Sequence, residues 1–361
     1  MSSQDLQTHY LGMQLKNPFV VGASPLSDTV DGARILEDRG AAAIVVRSLF
    51  NEQVAGQQFR APSVDSRRSG GQRVAGPSSR FPFGPEDYVE HVGRLKEALA
   101  IPVIASLNAA GPGSWLDYPP LLEKVGADAI ELNLYCAGVS PWRSGAEVEE
   151  GLLRAVAELR HAVGLPIAVK VTPFFSSLAH FARGAESAGA GALVLFNRFF
   201  PASTDLADLP RRAGPATALE LDLRIGWVAA LSSQVRSDLA VSGGVYSGED
   251  AGRAILAGAH VVQVVSALLQ HGPDRLVSLC QELREWLAAD DRVSVAGCRG
   301  RMNLDLCTDP AGYERASYVA ALRSWSPARG HKLGAGVPAR EQRAAVADLA
   351  GMGATPERSE R

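Results

Sequence analysis

One lysine lies where a charged side chain is unusual. Lys170 falls near the end of the apolar run Ile167–Val171, whose small and β-branched residues are typical of a buried strand. An ammonium group buried there needs a partner, which favours a chemical role over a packing role. Such a lysine can stabilise negative charge on a bound ligand or attack a carbonyl group as a Schiff-base amine.

A second chemical signal is the segment Ser242–Gly248, which reads Ser-Gly-Gly-Val-Tyr-Ser-Gly and precedes a helical stretch. Paired glycines let the backbone approach an anion closely, and the N–H groups of a helix start attract negative charge. We therefore expect a phosphate site here, completed by Ser266 after the next apolar run. Neither a P-loop nor a G-x-G-x-x-G motif follows a strand, which argues against ATP and a Rossmann-bound dinucleotide.

The other short apolar runs also end in residues that can bind or react. Taken alone, an asparagine after a strand is more often a turn residue, and a cysteine there is more often a packed thiol. Taken as a set, these positions can meet at one end of a barrel. They are Ala23-Ser24, Arg47-Ser48, Asn108, Asn133 with Cys136, Lys170, Asn197, Gly243-Gly244 and Ser266.

The elements that must position these residues follow a repeated pattern. Four times a helical stretch ends in Gly-Ala and an apolar run follows, at Gly40, Gly126, Gly189 and Gly258. Strands alternating with helices predict an α/β protein with a (β/α)₈ TIM barrel, and the alternative is a doubly wound sheet. The predicted strands are Phe19–Val21, Ile44–Arg47, Val103–Leu107, Ala129–Leu134, Ile167–Val171, Ala192–Phe196, Leu239–Val241 and Val261–Val265, and the predicted helices include Asp28–Arg39, capped by Asp28, Glu147–Val163, Phe175–Ala188, Gly248–Ala257 and Pro273–Ala289.

Three segments fall outside the repeat. Ser48–Glu86 after the second strand and Arg198–Glu220 after the sixth are long enough to be lids or binding loops. We assign residues 1–323 to the barrel and expect residues 324–361 to be a flexible tail, because that stretch lacks an apolar stripe.

Composition excludes several classes of function. The 361 residues carry 36 basic and 39 acidic side chains, a net charge of −3, which predicts no binding to nucleic acid or to an anionic membrane. Four cysteines without a C-x-x-C pair predict neither a disulfide scaffold nor a metal site. The polar N-terminus and the lack of a long apolar run predict a soluble, cytoplasmic protein.

In their order along the chain, these motifs resemble the dihydroorotate dehydrogenase superfamily, and within it the dihydroorotate dehydrogenase-like branch, over residues 11–318. The superfamily consists of FMN-containing barrels. The resemblance therefore implies an FMN-dependent oxidoreductase acting on CH–CH groups, with a place in pyrimidine biosynthesis and a homodimeric state. The matching motifs are Leu11-Gly12, Leu15–Pro18, Gly22–Ser24, Glu131–Cys136, Val169-Lys170, Asn197, Gly243-Gly244 and, more loosely, Val265-Ser266.

The resemblance also implies a role for each matching residue. Cys136 takes the position of the catalytic base, with Tyr135 as the alternative, and Lys170 lies beside the pyrimidine edge of the flavin. The implied flavin contacts are Ala23, Ser24, Ser48, Asn108, Asn133, Lys170, Gly243, Gly244, Ser266 and Ala267, and the implied substrate contacts are Arg47, Asn133, Asn197 and Arg198.

The substrate motif departs from the family pattern. Asn-x-Ser-Cys-Pro-Asn reads Asn-Leu-Tyr-Cys-Ala-Gly at residues 133–138, Arg47 replaces a lysine, and residues 77–83 lack the loop asparagine. A site built to hydrogen-bond a planar polar ring loses discrimination when such partners are missing. The expected substrate is therefore dihydroorotate or another small carbonyl compound.

Four other functions stay open from the sequence. One is a phosphate-binding aldolase or synthase that uses Lys170, and another is an FMN ene-reductase or dehydrogenase of a different small-molecule pathway. The third is a tRNA-acting flavin reductase, which the net charge of −3 disfavours. The last is a non-catalytic flavin-binding barrel.

Overall fold

The structure is a computed structural model that describes residues 5–54, 83–109, 114–136, 140–198, 217–289, 294–305, 307 and 309–324. The chain divides into two compact units, residues 1–303 and 304–361. Most of the two predicted long loops (residues 55–82 and 199–216) and residues 325–361 of the predicted tail lie outside the described residues. The assignment of residues 1–323 to one barrel domain stays a prediction.

Helices and strands alternate through the first unit, and the second contributes one helix within its described part. None of the helices in the described ranges is long and apolar enough to cross a membrane. The strands are β1 (Thr8–Tyr10), β2 (Met13–Leu15), β3 (Phe19–Val21), β4 (Ala43–Val45), β5 (Leu49–Phe50), β6 (Val103–Ala109), β7 (Ala129–Leu134), β8 (Ile167–Val171), β9 (Ala192–Leu195), β10 (Asp238–Ser242) and β11 (Val261–Val264). The helices are α1 (Val30–Asp38), α2 (Asn51–Val54), α3 (Pro85–Ala98), α4 (Pro119–Lys124), α5 (Gly145–Ala162), α6 (Leu178–Ser187), α7 (Ala218–Leu231), α8 (Gly248–Ala257), α9 (Ser266–His271), α10 (Arg275–Ala289), α11 (Val295–Cys298) and α12 (Pro310–Ser324).

Eight parallel strands close into a barrel, which confirms the predicted (β/α)₈ architecture. Each strand is hydrogen-bonded to the next in the order β3, β4, β6, β7, β8, β9, β10, β11, and β11 pairs again with β3. The short strand β5 pairs in parallel with the carboxyl-terminal part of β6, at Leu107 and Asn108. The antiparallel hairpin β1–β2 precedes the barrel.

The Gly-Ala pairs end helices as predicted. Gly40, Gly126, Gly189 and Gly258 all have positive φ, between 90° and 128°. The alanine after each glycine donates its N–H to a carbonyl five residues earlier, as Ala41 does to Leu36 at 3.0 Å. This pattern closes the last helical turn and sends the chain straight into the next strand.

The start of α1 differs from the prediction. Thr29, not Asp28, caps the helix, because its Oγ1 accepts a hydrogen bond from the N–H of Gly32 at 3.1 Å. The Asp28 carboxylate instead binds the guanidinium of Arg47, with oxygen–nitrogen distances of 3.0 and 2.6 Å. The prediction of Asp28 as the cap was therefore wrong, and a long-range ion pair is the reason.

Two apolar clusters form the core, one between strands and helices and one inside the barrel. The inner cluster contains a small or β-branched residue from each of the eight barrel strands, many of them alanine. Tyr10, Leu11 and Leu15 of the hairpin belong to the same cluster and are 1–5 % exposed. The hairpin side chains therefore fill the amino end of the barrel, where the strand side chains are small.

Asp238, the first residue of β10, fastens the hairpin to the barrel. Its Oδ2 accepts the N–H of Leu11 at 2.7 Å, and its Oδ1 lies 3.0 Å from Nε2 of His260 and 3.6 Å from Nε2 of His9. Nδ1 of His260 accepts the N–H of Leu239 at 3.1 Å, so Nε2 carries the ring proton and donates it to the carboxylate. That proton makes Nε2 a poor metal ligand, and the cluster is a structural one.

Asp238→Asn should therefore destabilise the fold in a pH-dependent way. Burial alone would raise the pKa of Asp238, but the hydrogen bond and electrostatic attraction of His260, the N–H of Leu11 and the attraction of His9 outweigh it and hold the pKa below its ordinary value. A lowered pKa contributes stability above the unfolded value of about 3.9 and loses it as the pH falls. Urea unfolding at pH 7 should show the substitution costing stability, and the difference should shrink below about pH 4. A cost that is equal at both pH values would contradict this origin.

Candidate functional site

Polar side chains replace apolar ones in the upper half of the barrel interior. Along β7, Ala129 belongs to the inner cluster, and the residues two and four positions later are Glu131 and Asn133. Along β8, Ala168 belongs to the same cluster and Lys170 lies two positions above it, in register with Asn133. Because side chains alternate along a strand, these residues face the interior and form a polar layer near the carboxyl ends.

Lys170 has the partner that its burial demands. Its Nζ donates to Oε1 of Gln263 at 2.8 Å and lies 3.4 Å from Oε1 of Glu131, and Nε2 of Gln263 donates to the other oxygen of Glu131. The side chain of Lys170 is 11 % exposed, and Glu131 and Gln263 are each 1 % exposed. We call these three residues the lysine triad.

The triad leaves Lys170 able to bind a ligand. An ammonium group has three N–H donors, and the described partners engage two of them. The ion pair with Glu131 holds the amine of Lys170 as a hydrogen-bond donor at a fixed position. The geometry therefore favours charge stabilisation over the aldolase alternative.

Some buried oxygens just beyond the strands lack partners among the described residues. They include Oδ1 of Asn133 at the end of β7 and Oγ of Ser24 just after β3. A buried polar atom without a hydrogen bond costs about 1–3 kcal/mol, which a bound ligand can recover. Both residues were predicted to contact the flavin, and their unsatisfied atoms fit a polar cofactor.

The loop after β10 offers backbone donors, as predicted for a phosphate site. Gly243 and Gly244 have φ of 97° and 84°. The N–H groups of Gly243, Gly244 and Val245 donate to no acceptor within the described residues. Donors of this kind in a glycine-rich turn suit an anion.

The start of α8 does not contribute donors, contrary to the prediction. The N–H groups of Tyr246 and Ser247 both donate to Oδ2 of Asp250 at 2.9 Å, and that of Gly248 donates to Glu282 at 2.8 Å. Carboxylates of the chain already neutralise this helix end. The start of α9 is different, since no side chain caps it and it begins at the predicted contacts Ser266 and Ala267.

A buried arginine, missed from the sequence, supports the same loop. Arg224 of α7 is 1 % exposed, and its Nε donates at 2.6 Å to the carbonyl of Ser242, the residue before the glycine pair. Burial lowers the pKa of Arg224, the charge of Glu220 raises it and that of Arg198 lowers it. The only sequence signal was an arginine within the apolar stretch Ala218–Leu231.

Gly244 packs against α7 as well as shaping the loop. A Cβ added at Gly244 would lie 2.8 Å from Cβ of Leu221 and 3.2 Å from its backbone. Loss of a ligand from a Gly244→Val protein would therefore not isolate the phosphate contact. The contact and the positive φ both act on the fold itself.

Gly244→Ala should destabilise the ligand-free protein by about 1–3 kcal/mol, because strain at φ +84° adds to the contact with Leu221. Gly226→Ala is the matched control. Gly226 lies exposed within α7, nothing lies within 4 Å of its added Cβ, and the change should stabilise by about 0.4–1 kcal/mol. Urea denaturation of both variants measures the difference, and equal effects would contradict the packing role of Gly244.

The family model described as dihydroorotate dehydrogenase matches residues 5–287. The chain belongs to this family. It is accordingly a flavin-dependent oxidoreductase of the dihydroorotate dehydrogenase type, acting on CH–CH groups.

The alignments with three named relatives span 83–96% of the length of each relative. The catalytic subunit of dihydroorotate dehydrogenase B (NAD(+)) from Methanothermobacter thermautotrophicus is 27% identical over 301 residues, 80% of this chain and 96% of the relative. A putative dihydroorotate dehydrogenase A (fumarate) from Aeropyrum pernix is 27% identical over 296 residues, 79% of this chain and 94% of the relative. The catalytic subunit of the B enzyme from Methanosarcina acetivorans is 28% identical over 265 residues, 71% of this chain and 83% of the relative.

The predicted substrate residues of this dihydroorotate dehydrogenase family member are placed unequally. Arg47 is held by Asp28, so its guanidinium is already engaged in an ion pair. Asn197 is 4 % exposed, and its Nδ2 donates at 3.3 Å to the carbonyls of Leu134 and Lys170, which ties together the ends of β7 and β8. Arg198 is half-buried directly after it.

Cys136 lies two residues beyond β7, as predicted. It is half-buried against the outer apolar cluster, while its neighbour Tyr135 is 39 % exposed. Residues 137–139, where the family pattern is altered, lie outside the described residues. The position of the thiol directly above the strand that carries Asn133 is compatible with contact to a bound substrate.

The remaining predicted flavin contacts, Ala23, Ser48 and Asn108, lie near the ends of β3, β4 and β6. Oγ of Ser48 and Oγ of Ser106 share a hydrogen bond of 2.7 Å, and the Tyr88 hydroxyl donates to the carbonyl of Ser106 at 2.9 Å. Asn108 is half-buried at the upper part of β6, in register with Asn133. Ala23 is half-buried after β3. Ala23, Ser48 and Asn108 lie near the carboxyl ends of their strands, which is where a barrel binds its ligand.

Proposed function

We propose that the protein is an FMN-dependent dehydrogenase that oxidises a carbon–carbon single bond beside a carbonyl group in a small molecule, or catalyses the reverse reaction. The lysine triad is the observation that carries this proposal. It presents a buried ammonium with one uncommitted N–H, level with the unsatisfied oxygen of Asn133. FMN, when bound, supplies the hydride acceptor or donor, which no side chain can provide.

The residues of the chain fit FMN in two places. Free N–H groups at Gly243, Gly244 and Val245, together with the uncapped start of α9 at Ser266, suit its phosphate. The polar atoms of Ser24, Ser48, Asn108, Asn133 and Lys170 suit the edge of its ring system, which has both donors and acceptors. Ala23 and Ala267 add small contacts beside these two groups.

The proposed substrate site lies above the flavin residues. Cys136 acts as the base that removes a proton from the carbon next to the carbonyl, and Tyr135 is the alternative base. The ammonium of Lys170 stabilises negative charge that develops on the cofactor. Asn133, Asn197 and Arg198 orient the substrate, whereas Arg47 first has to leave Asp28.

Dihydroorotate is the first substrate to test, because the named relatives are dihydroorotate dehydrogenases, and it would place the protein in pyrimidine biosynthesis. The asparagines missing at residue 138 and within residues 77–83, together with the ion pair that engages Arg47, favour a related carbonyl compound instead. We further propose a homodimer in the cytoplasm, with no nucleic-acid or membrane partner.

The test is an anaerobic titration of purified protein. The protein should be yellow with stoichiometric non-covalent FMN, and the flavin should bleach on addition of dihydroorotate or a related dihydro-compound. Protein that purifies colourless and does not bind added FMN would overturn the proposal. The protein could also be yellow while no dihydro-compound reduces its flavin and no unsaturated product oxidises the reduced flavin. That result would favour a non-catalytic flavin barrel.

A further inference from the structure

We propose that Glu131 and Gln263 are positioning residues that fix the Lys170 ammonium and offset its charge, and so lower the reduction potential of the bound flavin. This inference rests on the proposed FMN function. It concerns two residues to which neither the family pattern in the sequence nor the polar strand ends assigned a role.

The triad is a closed ring of hydrogen bonds. Lys170 donates to both Gln263 and Glu131, and Gln263 donates to Glu131. An amide has one acceptor oxygen and one donor nitrogen, so the cation takes the oxygen of Gln263 and the anion takes its nitrogen. Neither end of Gln263 can turn without breaking a charge-assisted bond.

The ring also crosses the barrel. Glu131 and Lys170 lie on the paired strands β7 and β8, whereas β11, which carries Gln263, is three strands away from β8 in the barrel order. Gln263 therefore reaches Lys170 through the interior. Glu131 and Gln263 are each 1 % exposed, so little water can screen the charge of Glu131. Its carboxylate therefore acts strongly on a cofactor bound beside Lys170.

The sign of the effect follows from charge. Reduction of the flavin adds negative charge to its ring, which a nearby cation stabilises and a nearby anion opposes. Glu131 contributes an anion behind the cation, so the pair stabilises the reduced flavin less than a lone ammonium would. Removing the charge of Glu131 with an amide of the same shape, which gives up one of its two accepted hydrogen bonds, should raise the potential.

Glu131→Gln makes that change. At a fixed potential set by a reference dye, the ratio of reduced to oxidised flavin should rise at least about tenfold, which is about 30 mV for a two-electron couple. Gln263→Glu adds a second carboxylate beside Lys170 and should shift the ratio in the opposite direction. The exchange variant Glu131→Gln/Gln263→Glu restores one carboxylate and should return the ratio towards the original value.

The matched control is Asp128→Asn. Asp128 immediately precedes β7 at the other end of the barrel, and its carboxylate lies 2.6 Å from Nζ of Lys96. Asp128 also forms an ion pair with a lysine, next to the first residue of β7, but it is remote from the lysine triad. This variant should leave the flavin potential unchanged.

The outcomes separate the inference from the function on which it rests. Unchanged potentials in Glu131→Gln and Gln263→Glu, with flavin bound, would overturn the charge role and leave the FMN function intact. If Glu131→Gln does not fold, Gln263→Glu and the exchange variant decide the matter by the same measurement. An exchange variant that folds but stays shifted would contradict the charge role, because it again has one carboxylate beside Lys170. If the wild-type protein binds no flavin, the proposed FMN function itself is wrong.

Discussion

Lys170→Met should lower the free energy of unfolding by about 3–5 kcal/mol and strongly slow flavin reduction by substrate. Methionine keeps much of the length of lysine but removes the ammonium, which leaves Glu131 buried at 1 % exposure with only Gln263 as a described partner. The cost in stability arises because breaking a buried ion pair leaves an uncompensated charge.

A double-mutant cycle distinguishes the two effects of Lys170. Lys170→Met/Glu131→Gln removes both charges, so it should be more stable than Lys170→Met alone and still reduce slowly. Lys96→Met is the control. Lys96 also pairs with a carboxylate, that of Asp128 at 2.6 Å, but its side chain is 24 % exposed. It should cost at most about 1 kcal/mol. Urea unfolding and anaerobic stopped-flow reduction are the measurements, and additive effects in the cycle would rule out coupling between Lys170 and Glu131.

Cys136→Ala should slow reduction of the flavin by substrate by a factor of about 10²–10⁴, the usual contribution of a positioned base. Reduction by dithionite should be unaffected, because it needs no proton removal from a substrate. Cys136→Ser should react only at higher pH than the original protein, since a hydroxyl ionises much less readily than a thiol. The measurement is the single-turnover rate of flavin reduction as a function of pH.

Two controls make the cysteine result specific. Cys307→Ala changes another half-buried free thiol in the second compact unit and should leave the rate unchanged. Tyr135→Phe removes the neighbouring hydroxyl, which is the alternative base. Near-normal turnover by Cys136→Ala together with a large loss in Tyr135→Phe would transfer the base role to Tyr135.

The barrel was predictable because its signals are local. Gly-Ala pairs mark helix ends by a conformation that glycine adopts easily, and the intervening apolar runs are short and β-branched. Three of the predicted strands, Phe19–Val21, Ala129–Leu134 and Ile167–Val171, have the same bounds in the structure. Helix α3 was missed although Pro85 at its first turn is a recognised start signal.

The charge partners were not predictable, because they depend on distant strands. The burial of Lys170 required a partner, but only the closed barrel brings Gln263 to it from 93 residues away. Asp28 has the composition of a cap, yet the guanidinium of Arg47, 19 residues later, takes its carboxylate. In both cases the sequence gives the residue types, and only the register and the closure of the barrel decide which atoms meet.

The hairpin β1–β2 imposes an order on folding. Its anchors are the carboxylate of Asp238, which Leu11 contacts across 227 positions, and the carbonyl of His260, which the Thr8 hydroxyl contacts across 252 positions. Because these anchors lie so far along the chain, the hairpin cannot dock until almost the whole first unit has been synthesised. Contacts so distant along the chain form late and slowly. During refolding, the backbone amides of this hairpin should be among the last to gain protection from hydrogen exchange.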